Sequence, residues 1–162
     1  MATQDWHPAN HVSFASQHPG KKVFDTIDMP YGKQVLWPDH CVQNTEGAKF
    51  AQDLQVDLFD AVVQKGTDVA VDSYSGFFGN DKKQQTGMDA ILKDAGVTEV
   101  HVLGLATDYC VYFTALDAKN LGYETYFIED GSRGVAADST ATAIADMKAK
   151  GIHVVSSPHE EL

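Results

Sequence analysis

Residues 100–128 read VHVLGLATDYCVYFTALDAKNLGYETYFI, and this stretch decides the fold. Val100–Leu105 is a short apolar run of the kind that forms a buried strand. Asp108 to Leu121 then reads as a helix that Gly122 ends. Its stripe of Val111, Thr114, Ala115 and Ala118 is small, which suits close packing on a sheet. Thr125–Ile128 reads as the next strand. Strand, helix, strand at this spacing is a βαβ unit, and it implies parallel pairing.

The pattern continues outward. Downstream, Asp138 or Ser139 is placed to cap a helix that stops at Gly151, and Ile152–Val155 is the last strand. Upstream, Ala61–Gln64 is a short apolar run. Thr86 to Asp89 has the form of a capping box, with Gly96 as the stop. The expected fold class is therefore α/β, a mostly parallel sheet flanked by helices. Ligands in such folds lie at the carboxyl ends of the strands. Asp5 and His7, Lys65, and Cys110 all fall at such positions.

Residues 1–60 have a different texture. They hold four of the five prolines, both tryptophans and four of the seven histidines, with weak apolar periodicity. Irregular segments of this length in a folded domain are functional or disordered, and the histidines and tryptophans favour function. A length of 162 residues fits one domain, 1–162, with a loop-like part over 1–60 and alternating strands and helices over 61–157.

Composition narrows the partners. The formal net charge of -11 repels polyanions, so nucleic acid is not an expected partner; a small neutral molecule remains compatible. No apolar segment approaches the ~20 residues that span a bilayer, and no signal-peptide pattern opens the chain. A cytoplasmic address follows as the default. The two cysteines, Cys41 and Cys110, make no disulfide framework.

Three groups of residues carry chemistry. In Asp5-Trp6-His7, positions i and i+2 of an extended segment point the same way, so carboxylate and imidazole can reach one ion. His11 and His40 add imidazoles. One carboxylate with two or three imidazoles suits zinc, iron or manganese, although such residues are also common in polar loops. Cys110 precedes a helix, where the dipole lowers a thiol pKa and free N–H groups can bind an oxyanion; a buried packing cysteine is the plain alternative. Lys65 ends a strand and is either a solvated charge or a group that favours a thiolate. Cys41 lacks a strand-to-helix setting and reads as structural. Asp108 reads as an N-cap carboxylate.

Together these segments resemble the nicotinamidase (pyrazinamidase) family of isochorismatase-like cysteine hydrolases. The matching pieces are T-Q-D-W-H-P-A-N-H-x-S-F-A at 3–15, W-P-D-H-C-V at 37–42, K-G at 65–66, D-S-Y-S-G-F-F at 72–78 and G-L-A-T-D-Y-C-V at 104–111. The resemblance implies a three-layer, Rossmann-like fold and hydrolysis of nicotinamide to nicotinate and ammonia through a cysteine thioester, as in NAD salvage. It implies Asp5, His7 and His40 as metal ligands, with His11 a further ligand in some members, and zinc first among the ions. Cys110 matches the nucleophile and Lys65 the triad lysine. Leu105–Ala106 matches a cis peptide that aims the N–H of Ala106, with that of Cys110, at one oxyanion. Trp37, Tyr74, Leu105 and Ala106 match the substrate pocket.

The resemblance also carries an expectation of loss. The first ligand is already residue 5, so the family's N-terminal strand, with the triad aspartate, has no counterpart. Poor activity of this chain and self-association of an incomplete sheet are the corresponding expectations. A metal-independent isochorismatase-like hydrolase and a non-catalytic metal-binding fragment are the competing readings.

Overall fold

Parallel pairing is the first feature of the computed structural model, which describes residues 1–157. The last five residues of the expected 1–162 domain lie outside the described residues. Strand β1 (Ala2–Asp5) runs parallel to β4 (Val62–Lys65), with Asp5 opposite Lys65. Strand β5 (Glu99–Leu105) runs parallel to β6 (Glu124–Arg133), and β6 to β7 (His153–Val155). Strands β2 (Thr26–Met29) and β3 (Gly32–Val35) form an antiparallel hairpin. Three helices complete the regular structure of the described residues: α1 (Met88–Asp94), α2 (Tyr112–Asn120) and α3 (Ala137–Ala149).

The chain divides into two units, which we describe separately. The first holds Met1–Ser73 and Phe78–Thr86; the second holds Tyr74–Phe77 and the chain from Gly87 onward. In the first, Phe14 and Leu36 are fully buried, and Phe14 lies edge-on to the imidazoles of His7 and His40. This region is more ordered than the sequence suggests. The hairpin turns at Pro30-Tyr31, and Gly32, which opens β3, has φ +125, a conformation that suits glycine.

In the second unit, α2 and α3 pack on the three-stranded sheet. Val111, Ala115, Phe127, Met147 and Ile152 form the core. Burying side chains of the size of Phe127 and Met147 contributes roughly 1.5–3 kcal/mol each. The expected small-residue stripe of α2 is buried throughout: Val111, Thr114, Ala115 and Ala118. Small residues let the helix backbone approach the sheet closely.

Several local expectations are corrected. The strand read as Ala61–Gln64 is Val62–Lys65, so Lys65 lies within it at its end. The helix read from Asp108 opens with a π-turn, Thr107–Val111, before α2 begins. The capping box at Thr86–Asp89 gives way to a cap at Gly87 without a side-chain bond. Asp89 instead accepts from the Tyr123 hydroxyl at 2.7 Å and pairs with Lys93. Helix α3 starts one turn earlier than expected, capped at Ala136, which puts Asp138 and Ser139 inside its first turn. The acceptor that serves this end comes from elsewhere, as shown below. Strand β6 continues past Ile128 to Arg133, with a register irregularity opposite Val102 and Gly104.

Candidate active site

In the first unit, β1 delivers Asp5 at its carboxyl end. The chain then continues through Trp6, whose N–H donates to the Lys65 carbonyl at 2.9 Å, to His7, which bridges to Val42. This brings in the loop that carries His40. The Asp5 carboxylate faces two ways. Oδ1 accepts from Lys65 Nζ at 2.6 Å, while Oδ2 lies 3.8 Å from His7 Nε2 and 3.9 Å from His40 Nε2.

The imidazoles are oriented from behind. His7 Nδ1 lies 2.9 Å from the Gly66 carbonyl, and His40 Nδ1 lies 2.8 Å from the Pro38 carbonyl. Each carbonyl can only accept, so each Nδ1 carries the proton. Both Nε2 lone pairs are then left towards Asp5. A histidine whose second nitrogen is tied to a carbonyl is the usual preparation for metal ligation. Ligand atoms about 2.0–2.2 Å from a zinc-like ion lie roughly 3–3.6 Å from one another. The observed spacings are a few tenths of an ångström wider and too long for hydrogen bonds. The three residues therefore fit a divalent ion.

His11 is placed differently. Its Nδ1 is 2.7 Å from Ser13 Oγ, and its ring lies 4.3 Å from that of His7. It groups with His7 and the buried Asp72, whereas Asp5, His7 and His40 make the other cluster. His11 Nε2 is buried without a hydrogen-bond partner.

The charges follow from this packing. Burial would raise the Asp5 pKa, but the Lys65 ammonium, which donates to it, and the nearby His7 imidazole outweigh it, and Asp5 stays ionised far below the usual carboxylate range. Burial would lower His7; the adjacent Asp5 carboxylate, helped by Asp72, raises it instead. His11 is lowered to about 4 by burial and by the neighbouring imidazoles, which Asp72 only partly offsets. Burial and the Asp5 charge push the Cys41 thiol up, which agrees with a structural role for it.

Lys65 is 4% exposed. Besides Asp5, its ammonium donates to the Ser73 carbonyl at 2.7 Å. That carbonyl is held in turn: Ser73 N–H donates to Asp72 Oδ1, and Asp72 Oδ2 accepts from Gln34 of the hairpin. Sequence reasoning missed Gln34, Gly66 and the part played by Asp72. Gly66 and Asp72 lay inside quoted motifs; Gln34 had no signal.

In the second unit, β5 ends at Leu105, which is 75% exposed, and the Leu105–Ala106 peptide is cis, as expected. The π-turn that follows holds Cys110 as a half-buried thiol outside any disulfide. The Ala106 carbonyl accepts from both Tyr109 and Val111 N–H. Tyr74 lies against this turn, 5.5 Å from the Tyr109 ring and stacked on Phe113 at 5.4 Å. Trp37 belongs to the first unit, where it bridges to Phe14 and meets Phe24 edge-on.

The first unit offers a candidate metal cluster at the end of a strand pair, the second a cysteine on a strand-to-helix turn, and comparison with known proteins gives the family. The profile of the Isochorismatase domain matches residues 8–159. The chain belongs to this family. The chain is 49% identical to a nicotinamidase of Escherichia coli over 153 residues, 93% of this chain and 71% of that protein. Among solved structures, a nicotinamidase/pyrazinamidase of Acinetobacter baumanii superposes with a TM-score of 0.93 at 45% identity, covering 96% of this chain and 75% of the other. A pyrazinamidase of Pyrococcus horikoshii, solved in complex with zinc, is 38% identical with a TM-score of 0.75, covering 95% and 73%.

Proposed function

We propose that this chain is a metal-dependent nicotinamidase, which hydrolyses nicotinamide to nicotinate and ammonia through a thioester on Cys110, as a step of NAD salvage. The observation that carries the reading is the Asp5, His7 and His40 cluster beside the buried Lys65, in a chain 44–49% identical to two nicotinamidases. A metal-independent hydrolase has no use for two imidazoles tied back at Nδ1.

In this reading Asp5, His7 and His40 hold one divalent ion, zinc first and iron or manganese next. When bound, the ion supplies a Lewis acid that orients a pyridine nitrogen. Trp37, Tyr74, Leu105 and Ala106 are the residues that would contact the substrate, with the two aromatic side chains suited to a flat ring. Lys65 favours the thiolate of Cys110, which attacks the amide carbon. The N–H groups of Ala106 and Cys110 stabilise the oxyanion that forms. The carbon–nitrogen bond breaks, the nitrogen takes up the proton that left the thiol and departs as ammonia, and water then cleaves the thioester to release nicotinate and the thiol. His11 stays neutral beside His7 and would be the further ligand of an ion held with His7 and Asp72.

We treat residues 1–162 as one hydrolase domain with a cytoplasmic address and a small-molecule substrate. Among the described residues no helix is long and apolar enough to cross a membrane. The test is nicotinate production from nicotinamide with zinc, iron or manganese supplied. Turnover that disappears in Cys110→Ala and on chelation establishes the reading. Turnover that survives either treatment refutes it.

A further inference from the structure

The residue two before Cys110 is not the N-cap expected of it: Ala106 opens the π-turn without a side-chain bond, and Asp108 lies inside that turn. Asp108 is 8% exposed, and its carboxylate leaves its own helix to bind the entry of α3. Oδ1 accepts from Val135 N–H at 2.9 Å; Oδ2 accepts from Ala136 N–H at 3.2 Å and from the Ser139 hydroxyl. Burial would raise the Asp108 pKa, but these three donors lower it, so the group is an anion there.

The entry of α3 is closely packed at Gly134. A Cβ there would fall 1.8 Å from Thr140 Oγ1 and 3.2 Å from Asp108 Oδ1. Thr140 of α3 leaves no room for a side chain at Gly134, and the Asp108 carboxylate closes the same space from the other side less tightly. The other end of the π-turn is held independently, because Val111 sits in the core with Met147 of α3. Cys110 thus lies between two fixed points, Asp108 and Val111, on a turn whose first carbonyl accepts two bonds.

We infer that Asp108 is a positioning residue for Cys110: by tying the π-turn to the entry of α3, it sets where the thiol stands relative to the N–H groups of Ala106 and Cys110. The inference rests on the nucleophilic role of Cys110 proposed above. A carboxylate that only stabilised α3 would leave the thiol's reactivity alone. A positioning carboxylate does not, since a displacement of about 1 Å in a reacting group can cost on the order of 10²-fold in rate.

The experiment compares Asp108→Asn, Ser139→Ala and Asp146→Asn with the parent chain. Asp146→Asn is the control, because it removes the ion pair with Lys150 on α3 while the amide oxygen still accepts from the hydroxyl of Tyr112, the residue next to the π-turn. Three quantities are measured: kcat and KM with nicotinamide, the rate of alkylation of Cys110 by iodoacetamide, and the thermal midpoint. Cys41 labelling, read by peptide mass spectrometry, is the internal reference. Asp108→Asn places an amide against backbone donors and should lower kcat by roughly 10²-fold with KM changed by about twofold or less. It should alter the Cys110 alkylation rate by about tenfold and leave Cys41 unchanged. Ser139→Ala should act in the same direction by about threefold, since it removes one donor of three. Asp146→Asn should move only the midpoint. If Asp108→Asn behaves like that control, the inference is overturned. If Asp108→Asn does not fold, Ser139→Ala decides, and unchanged Cys110 labelling overturns it. A parent chain that makes no nicotinate refutes the nicotinamidase reading, while the alkylation rates still judge Asp108.

Discussion

Gly66 shows how narrowly the cluster is built. Its φ of +63 lies in the left-handed region, and an added Cβ would fall 2.4 Å from His7 Cε1 and 2.6 Å from His7 Nδ1. The glycine after Lys65 is thus the floor under His7, and its carbonyl is the partner that fixes the His7 tautomer. Gly66→Ala should push the imidazole off its position and weaken metal binding by roughly 10–100-fold, the usual effect of disturbing a group behind a ligand. A competition titration with a chromophoric zinc chelator would show it; unchanged affinity would disprove the crowding argument. His11 gives a prediction in pH. Its pKa is lowered to about 4 in the folded chain, against 6.5 for an ordinary imidazole. Between those values the unfolded chain binds more protons, so stability rises with pH across about 4 to 6.5 and is lost as pH falls. The size is on the order of 3 kcal/mol. His7 acts in the opposite direction, because its pKa is raised. Denaturant unfolding of metal-free protein should therefore show a flatter pH dependence over that window in His11→Gln than in the parent. The ligand types were legible in the sequence because Asp5 and His7 sit two apart on an extended segment. The supporting contacts were not: His7 and Gly66 are 59 residues apart, Gln34 and Asp72 are 38 apart, and Asp108 and Ser139 are 31 apart.

At the scale of elements, the βαβ unit from β5 through α2 to β6 was readable because one run is apolar and the next has a small-residue stripe. Ala115 and Ala118 are fully buried against that sheet. Ala115→Leu should overpack the interface with Phe127 and Ile152 and cost about 1–3 kcal/mol, read as a lower urea midpoint with an unchanged slope. Tolerance of the larger side chain would mean that α2 is not seated as closely as its small residues indicate. Element ends were less readable. The π-turn before α2 exists because the Ala106 carbonyl takes both Tyr109 and Val111, and no local periodicity reports that. The β2–β3 hairpin escaped notice because only Gln34 of β3 is buried, so its strands lack a clean apolar alternation. The start of α3 was misplaced for a related reason: its acceptor is Asp108, a residue far upstream.

At the scale of the whole molecule, the net charge of -11 and an uncovered sheet face act against each other. Among the described residues β5 pairs with β6 and with no strand on its other edge. Its side chains alternate strictly, and the outward set includes His101, Leu103 and Leu105, with Leu103 56% and Leu105 75% exposed. On the same sheet His101, Tyr126 and His153 stack in a row, at 4.6 and 4.7 Å between rings. An unpaired strand edge that carries exposed leucines is a template for association, and charge on such an edge is the usual way of blocking it. The negative net charge opposes association over a range set by the Debye length, about 8 Å at physiological ionic strength, so added salt weakens that protection. Self-association of this chain should accordingly increase from low to high salt, as followed by sedimentation velocity. Leu103→Lys should suppress it while leaving the thermal midpoint nearly unchanged, because the side chain is largely in solvent already. Leu103→Lys protein that still associates in high salt would move the contact away from β5 and onto another surface.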